Sequence, residues 1–311
     1  MVNHRPVRVA VPILGDHPSG YVVRDFTHAL IRAGIKPIQL PRFIGAALHR
    51  SRLRVPVFRR QAVIVPMMGP RFDILAAAGL HGLPIPFCWD VWEPQWDLWA
   101  EHFTHARPPL VITTARASAK HLSARLDDTV VVHLQEAIDL AKYRRGAPLS
   151  ERSTDVLEMG RRYLPWHERV RTMAKDNGVK HLYERVPGEV IFTGEASLVA
   201  GLADSKVSVC FPSSITHPER SGSVSTLTSR YLESIASRCL VLGQTPDELT
   251  DLLGFNPAVQ ADMSQPWEQL RGLLDCIGSY QAHVDHAYEQ VESVGGWDYR
   301  VRQLLDLVRM V

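Results

Sequence analysis

Residues 7–41, VRVAVPILGDHPSGYVVRDFTHALIRAGIKPIQLP, set the fold class. VRVAVPIL (7–14) is a β-branched apolar run of strand length, and it ends in GDHPSG (15–20), a string of turn formers. Val22, Phe26, Ala29, Leu30 and Ala33 then recur at the spacing of one helical face. Gly34 follows, placed to end the helix in a left-handed conformation, and KPIQLP (36–41) reads as a second strand. Strand, helix, strand is a βαβ unit, whose two strands lie parallel.

The alternation continues outward through QAVIVPMM (61–68), FDILAAAGLHG (72–82), IPFCWD (85–90), the Trp-rich DVWEPQWDLWAEHF (90–103), LVITTA (110–115), RASAKHLSARL (116–126) and TVVVHL (129–134). DLAKYRRGAPLSERST (139–154) has no sustained apolar period and reads as an exposed connection between domains. Beyond it DVLEMG, EVIFTG, VSVCFP and CLVLG read as strands, and YLPWHERVRTMAKDNG, ASLVAGLADS and TSRYLESIAS as helices. The expectation is α/β: two doubly wound Rossmann-like domains facing a cleft, 1–145 and 146–311, with the C-terminal helix able to pack back on the first.

Composition agrees with a globular chain of that size. The 311 residues are 45% hydrophobic and 22% charged. Lys and Arg number 35 against 33 Asp and Glu, which gives no reason to expect nucleic acid as a partner. Cys88, Cys210, Cys239 and Cys276 lack metal or redox spacing, which fits a reducing, cytoplasmic setting. No apolar run reaches spanning length and the N-terminus lacks a cleavage signal, so neither export nor a membrane span is expected.

In open parallel sheets, ligands bind beyond the carboxyl ends of the strands. The loops there are GDHPSG in the first half and, in the second, GRRYLP, TGEAS and PSSITHPERSGSVSTL. The last leads into a helix and a strand: CFPSSITHPERSGSVSTLTSRYLESIASRCLVLGQTPDEL (210–249). This segment resembles the donor-nucleotide region of group 1 (family 4-like) glycosyltransferases of the GT-B kind, in particular a divergent branch with a T-x-R-Y/F-x-E pattern. The likeness covers most of the second half.

The resemblance implies roles. Glu233 would accept hydrogen bonds from the donor ribose, the alternative being a solvated helix glutamate. Pro212 and Ser213 stand in the turn after the strand, and Thr228, Ser229 and Arg230 at the helix start where a diphosphate would meet N–H groups and a guanidinium; Arg230 reads equally as a surface ion-pair residue. The turn Gly160–Arg161–Arg162 would present a basic pair to the pyrophosphate, and two arginines after a strand are also common surface charge. The family's usual first Glu, eight positions before the second, is replaced by Ser225. In the first half Gly15 and Gly20 bound an acceptor-side loop whose Asp16 and His17 form a candidate acid–base pair or a helix cap. Asp90 ends a strand where related enzymes carry a polar residue against the donor sugar. Trp89, Trp92, Trp96 and Trp99 offer stacking faces or, at their spacing, a core stripe.

PRFIGAALHRSRLRVPVFRR (41–60) interleaves Arg42, Arg50, Arg52, Arg54, Arg59 and Arg60 with apolar residues. It reads as a peripheral membrane contact near a lipid-linked acceptor, or as a solvated segment whose stems cover apolar surface. The reaction implied is transfer from a nucleoside-diphosphate sugar to an unidentified glycan, lipid-linked or small-molecule acceptor, retaining, with no cofactor and no metal, because no Asp-x-Asp pair stands at a strand end. A sugar-nucleotide epimerase and a degenerate GT-B binding protein without turnover are the alternatives. A Rossmann dehydrogenase lacks its GxGxxG.

Overall fold

The computed structural model describes residues 6–11, 20–52, 61–186 and 189–311. The chain divides into two compact units, one of Met1–Glu136, Arg220–Val224 and Trp297–Val311, the other of Ala137–Glu219 and Ser225–Gly296.

The first unit carries β1 (Val7–Val11), β2 (Lys36–Gln39), β3 (Ala62–Met68), β4 (Leu83–Trp89), β5 (Leu110–Thr113) and β6 (Val130–His133). Its helices are α1 (Tyr21–Arg32), α2 (Arg42–Ser51), α3 (Phe72–Gly79), α4 (Trp96–Ala106) and α5 (Arg116–Ser123). All pairings are parallel, in the order β2-β1-β3-β4-β5-β6. α1 ends as its sequence predicts: Gly34, at φ +86°, lets its own N–H reach Ile31 O and that of Ile35 reach Leu30 O, closing a Schellman cap before β2.

The second unit carries β7 (Thr154–Glu158), β8 (His181–Tyr183), β9 (Ser205–Cys210), β10 (Leu240–Gly243) and β11 (Ala258–Gln260). Its helices include α6 (Leu164–Asp176), α7 (Glu195–Ala203), α8 (Ser213–Thr216), α10 (Ser229–Ala236), α11 (Asp247–Leu253), α12 (Pro266–Asp275) and α13 (Gln281–Val294), while α9 (Pro218–Ser221) runs into the stretch that belongs to the first unit. This sheet is also parallel, ordered β11-β10-β9-β7-β8. Counted along the chain, both sheets read 2-1-3-4-5, the first with a sixth strand added.

Helices cover both faces of the second sheet, and strand alternation shows it. Val156 joins Trp166, Val207, Val209 and Trp267 in one core, against α6 and α12. Its neighbour Leu157 joins Leu202 and Cys239 on the other face, where Cys210 and Val241 meet Leu232, Leu249 and Val291 of α10, α11 and α13. Strands buried on both sides need near-continuous apolar runs, as LVLG is and VSVC is apart from Ser208. In the first unit Val63, Val65 and Met67 pack with Trp99 and Phe103. Its other face carries Phe26 and Phe87, and the ring of Trp297 in the last helix, α14 (Trp297–Arg309), packs at a tilt 5.0 Å from Phe26.

Trp89, Trp92 and Trp99 are buried core residues, and Trp96 is half-buried, its ring stacked on His121 and its Nε1 donating to Val91 O and Ser118 Oγ. Cys88, Cys210 and Cys239 are buried free thiols and Cys276 an exposed one. Burial pushes the Cys239 thiol up to about 12.

Two expectations fail. EVIFTG (189–194) is not a strand; the sheet edge is taken by HLY, which enters directly from the α6 cap, with Lys180 O accepting from Asp155 and Val156 N–H. The apolar residue Phe192 instead covers Gly201 of α7. The run 139–154 is not simply exposed either. Leu149 is fully buried, and the Arg152 guanidinium, also buried, donates to the carbonyls of Arg145, Ala147 and Ser205.

Candidate functional site

A parallel sheet offers a crevice where connections leave neighbouring strands toward opposite faces. In the second unit that switch point falls between β7 and β9, and both ends carry residues singled out from sequence. β7 leads through Met159 into Gly160–Arg161–Arg162, and β9 leads through Phe211 into Pro212 and Ser213, the last two buried at the start of α8.

The β7 turn is completed by a third element. Arg230, in the first turn of α10, donates from Nη1 to Arg161 O at 3.2 Å. Its Nη2 lies only 2.7 Å from where a Gly160 Cβ would stand, and Gly160 is at φ +70°. Glycine is required here twice, for the left-handed backbone and for the close approach. Half-buried, with its guanidinium against the turn, Arg230 is not a surface ion-pair residue. Arg162 turns away, donating to Glu184 O at 2.5 Å and lying 5.6 Å over the Tyr183 ring. The structure thus joins Gly160, Arg161 and Arg230, and sends Arg162 to the β8 edge.

α10 begins with Thr228 as extended N-cap and no side-chain cap, leaving the N–H groups of its first turn to backbone or ligand. Glu248 of α11 fixes the approach: its Oε2 accepts from Thr226 Oγ1 at 2.7 Å and from Leu227 N–H at 2.8 Å. Glu233 is fully buried rather than solvated, its Oε1 accepting from the Tyr143 hydroxyl at 2.9 Å. Next to it Ser234 Oγ meets Ser208 Oγ at 2.7 Å, tying α10 to β9. Ser225 is exposed. Sequence reading missed Tyr143 and Glu248. Ninety residues separate Tyr143 from Glu233, beyond any local pattern, whereas Glu248 stands just past the carboxyl end of β10, a place where polar residues warrant inspection.

A second buried polar group closes the base of the same turn. Glu158, the last residue of β7, lies 2.5 Å from Nδ1 of His167 in α6, and His181 Nε2 of β8 stands 3.7 Å from the same oxygen. Burial pushes the Glu158 carboxyl up, but contacts with the two histidines outweigh it and hold the group below the usual carboxylate range. A glutamate closing an apolar strand was the one available signal for this cluster.

In the first unit Asp90 follows β4 at φ +56°, and its Oδ2 accepts from Arg220 Nη2 at 3.0 Å. Glu93 Oε2 accepts from the Ser223 N–H and hydroxyl at 2.5 and 2.6 Å. Gly20 precedes α1 as its N-cap, while Gly15, Asp16 and His17 lie outside the described residues. α2 is a helix with Phe43 and Ile44 exposed and Arg52, just past its end, paired with Glu101; Arg54, Arg59 and Arg60 lie outside the described residues. A cavity of about 400 Å³ opens beside it, lined by Leu48, His49, Phe72, Leu75, His102 and His105 among others. Among the described residues no helix is long and apolar enough to cross a membrane.

No family model matches the chain, and no curated protein matches it in sequence. Solved structures do match in fold. Sucrose-phosphate synthase from Thermosynechococcus elongatus superposes with a TM-score of 0.64 at 10% identity, covering 98% of this chain and 98% of that one. Anabaena Alr3699/HepE, in complex with UDP and glucose, gives 0.62 at 9% identity over 99% and 100%. AviGT4, a glycosyltransferase involved in avilamycin A biosynthesis, gives 0.60 at 15% over 98% and 97%. At such identities the likeness is one of fold: two parallel-sheet α/β domains, the architecture of GT-B glycosyltransferase structures.

Proposed function

We propose that this chain is a glycosyltransferase that binds a nucleoside-diphosphate sugar in its second unit and transfers the sugar to an acceptor. The observation that carries this reading is the meeting of Gly160, Arg161 and Arg230 beside the β7–β9 switch point, at the N-terminus of α10. A glycine turn, a helix N-terminus and two guanidiniums form a site for a diphosphate, and charge stabilisation there assists its departure. Arg162, held against Glu184, adds charge at longer range. Pro212 and Ser213 border the donor, Thr228 and Ser229 supply the helix start, and Glu233 takes the ribose hydroxyls in place of the Tyr143 hydroxyl it now accepts from. Asp90, with Asp16 and His17, is proposed to face the reacting sugar, and Gly15 and Gly20 the acceptor. Transfer is read as retaining and as using no metal at the reacting centre. The protein is read as cytoplasmic, with the Arg-rich segment 42–60 providing a peripheral membrane contact for an acidic or lipid-linked acceptor.

Alr3699/HepE crystallised with UDP and with UDP-glucose, which makes uridine donors the first to test. A ligand bound only by the folded state raises its stability by about 2.7 kcal/mol at a hundred times Kd. UDP and one or more UDP-sugars are expected to raise the melting temperature while uridine does not. If no nucleoside diphosphate among uridine, guanosine, adenosine and thymidine forms does so, the reading fails. A binding protein without turnover is the second reading, favoured by Ser225 in place of a carboxylate; transfer or donor hydrolysis above background removes it.

A further inference from the structure

Glu158, His167 and His181 hold three donor atoms within 4.8 Å of one another, on three different elements, β7, α6 and β8. The side chains are 3%, 2% and 4% exposed. Only the Glu158–His167 contact is of hydrogen-bond length; His181 Nε2 approaches Glu158 Oε2 no closer than 3.7 Å. Glu158 Oε1 and both ring nitrogens of His181 are buried with no hydrogen-bond partner. An imidazole carries at least one donor, and a neutral one also an acceptor; leaving all of this unmet in the interior is costly enough that native structures seldom do it.

The surroundings make bulk water a poor answer. Tyr183 stands 4.7 Å from both histidine rings, and Trp166 meets His181 edge-on at 6.5 Å. Two imidazoles and one carboxylate are the donor set of zinc and neighbouring transition-metal dications, whereas magnesium and calcium take oxygen. Ligand atoms about 2.0–2.2 Å from a tetrahedral zinc lie about 3.3 Å apart. The two separations to Glu158 Oε2, 2.5 and 3.7 Å, fall on either side of that value, and all three ligand atoms lie within 4.8 Å of one another, close enough for side-chain rotation to bring them round an ion.

We propose that Glu158, His167 and His181 form a binding site for a transition-metal dication of the zinc class, which clamps β7, α6 and β8 together at the base of the Gly160–Arg162 turn. Three protein donors leave the fourth tetrahedral position to a single water molecule, and the ion holds the elements it joins without carrying any step of sugar transfer. The site does not depend on the chain's being a glycosyltransferase.

The experiment uses tag-free full-length protein, stripped with a chelator, dialysed and titrated with ZnCl2 and, separately, CoCl2. Expected are one equivalent of zinc per chain by elemental analysis, visible d–d bands on cobalt binding, and a melting temperature that falls on stripping and recovers on reloading. His181→Asn and His167→Asn are expected to weaken cobalt binding by roughly a hundredfold or more. His28→Asn, on the exposed face of α1, leaves it unchanged. Absence of stoichiometric uptake by folded wild-type protein overturns the proposal, as does uptake that survives both ligand substitutions. Where a variant does not fold, X-ray absorption on the zinc-loaded wild type decides: two imidazoles per zinc support the site, and a shell of water oxygens or a single imidazole refutes it.

Discussion

Gly160→Ala tests the donor site at its tightest point. A left-handed backbone costs a residue with a Cβ about 1–2 kcal/mol. The new methyl would also stand 2.7 Å from Arg230 Nη2, well inside contact distance, and the guanidinium is the member free to move. Its retreat breaks the 3.2 Å bond to Arg161 O and takes its charge from the turn. The expected loss of stability is about 1–2 kcal/mol, a fall of about 2–8 °C in melting temperature. Removing a charged hydrogen-bond donor from the diphosphate costs about 1.5–3 kcal/mol, or about ten- to a hundredfold in Kd. Calorimetry with UDP and with uridine should show the loss for UDP alone. In an Arg230→Ala background Gly160→Ala should retain its stability cost and add nothing further to the loss in UDP affinity, so the double-mutant cycle shows strong coupling. Additive losses in UDP affinity, or an unchanged Kd in Arg230→Ala alone, refute the reasoning.

Glu233→Gln keeps the shape and the Tyr143 contact but removes the charge; UDP affinity should drop by about ten- to a hundredfold with unchanged circular dichroism, and an unaltered Kd removes the ribose assignment. Trp99→Ala empties a fully buried site in the first unit and should cost about 3–5 kcal/mol in denaturant unfolding, a loss under 1 kcal/mol showing that the stripe is not core. Hydrogen bonds from the Ser223 hydroxyl and N–H hold Glu93 below its ordinary value of 4.5, so that contact is complete above pH 4.5 and lost as pH falls through the lowered value. Amide protection of Ser223, corrected for intrinsic exchange, should fall across that acid window and be absent at neutral pH in Glu93→Gln; protection indifferent to both removes the tether. Association with anionic vesicles through the segment 42–60 should weaken as salt rises and with Arg50, Arg52 and Arg54 changed to Ser, and protein that ignores such vesicles at low salt points to a soluble acceptor.

The sheet strands were legible where burial on both faces forces near-continuous apolar runs, as in AVIVPMM and LVLG and, with one serine, VSVC. The edges were not: HLY is three residues long and half-buried, while EVIFT has a better strand composition yet packs Phe192 on α7 and leaves Val190 exposed. A strand at an edge is fixed by what precedes it, here the cap at Gly178, more than by its own residues. The turn Gly160–Arg162 and the start of α10 were recognisable because glycine and paired arginines after a strand have a local meaning. That Arg230 folds onto Gly160 while Arg162 leaves it is a tertiary fact, as is the closure of Glu233 by Tyr143. The Glu158 cluster draws single residues from three elements, so its spacing carries no signature.

The placing of the four cysteines gives the folded chain a built-in reporter of its own opening. Cys276 alone is exposed and should take an alkylating reagent at once. Cys88 is sealed in the first unit, Cys210 and Cys239 in the second, and burial lifts all three thiols away from the reactive thiolate. They can be modified only while their own unit is transiently open, so the rate at which each gains mass measures the free energy of that opening. Peptide mapping of a timed alkylation would therefore separate the stabilities of the two units in an uncut chain, and show which of them a bound nucleotide holds shut.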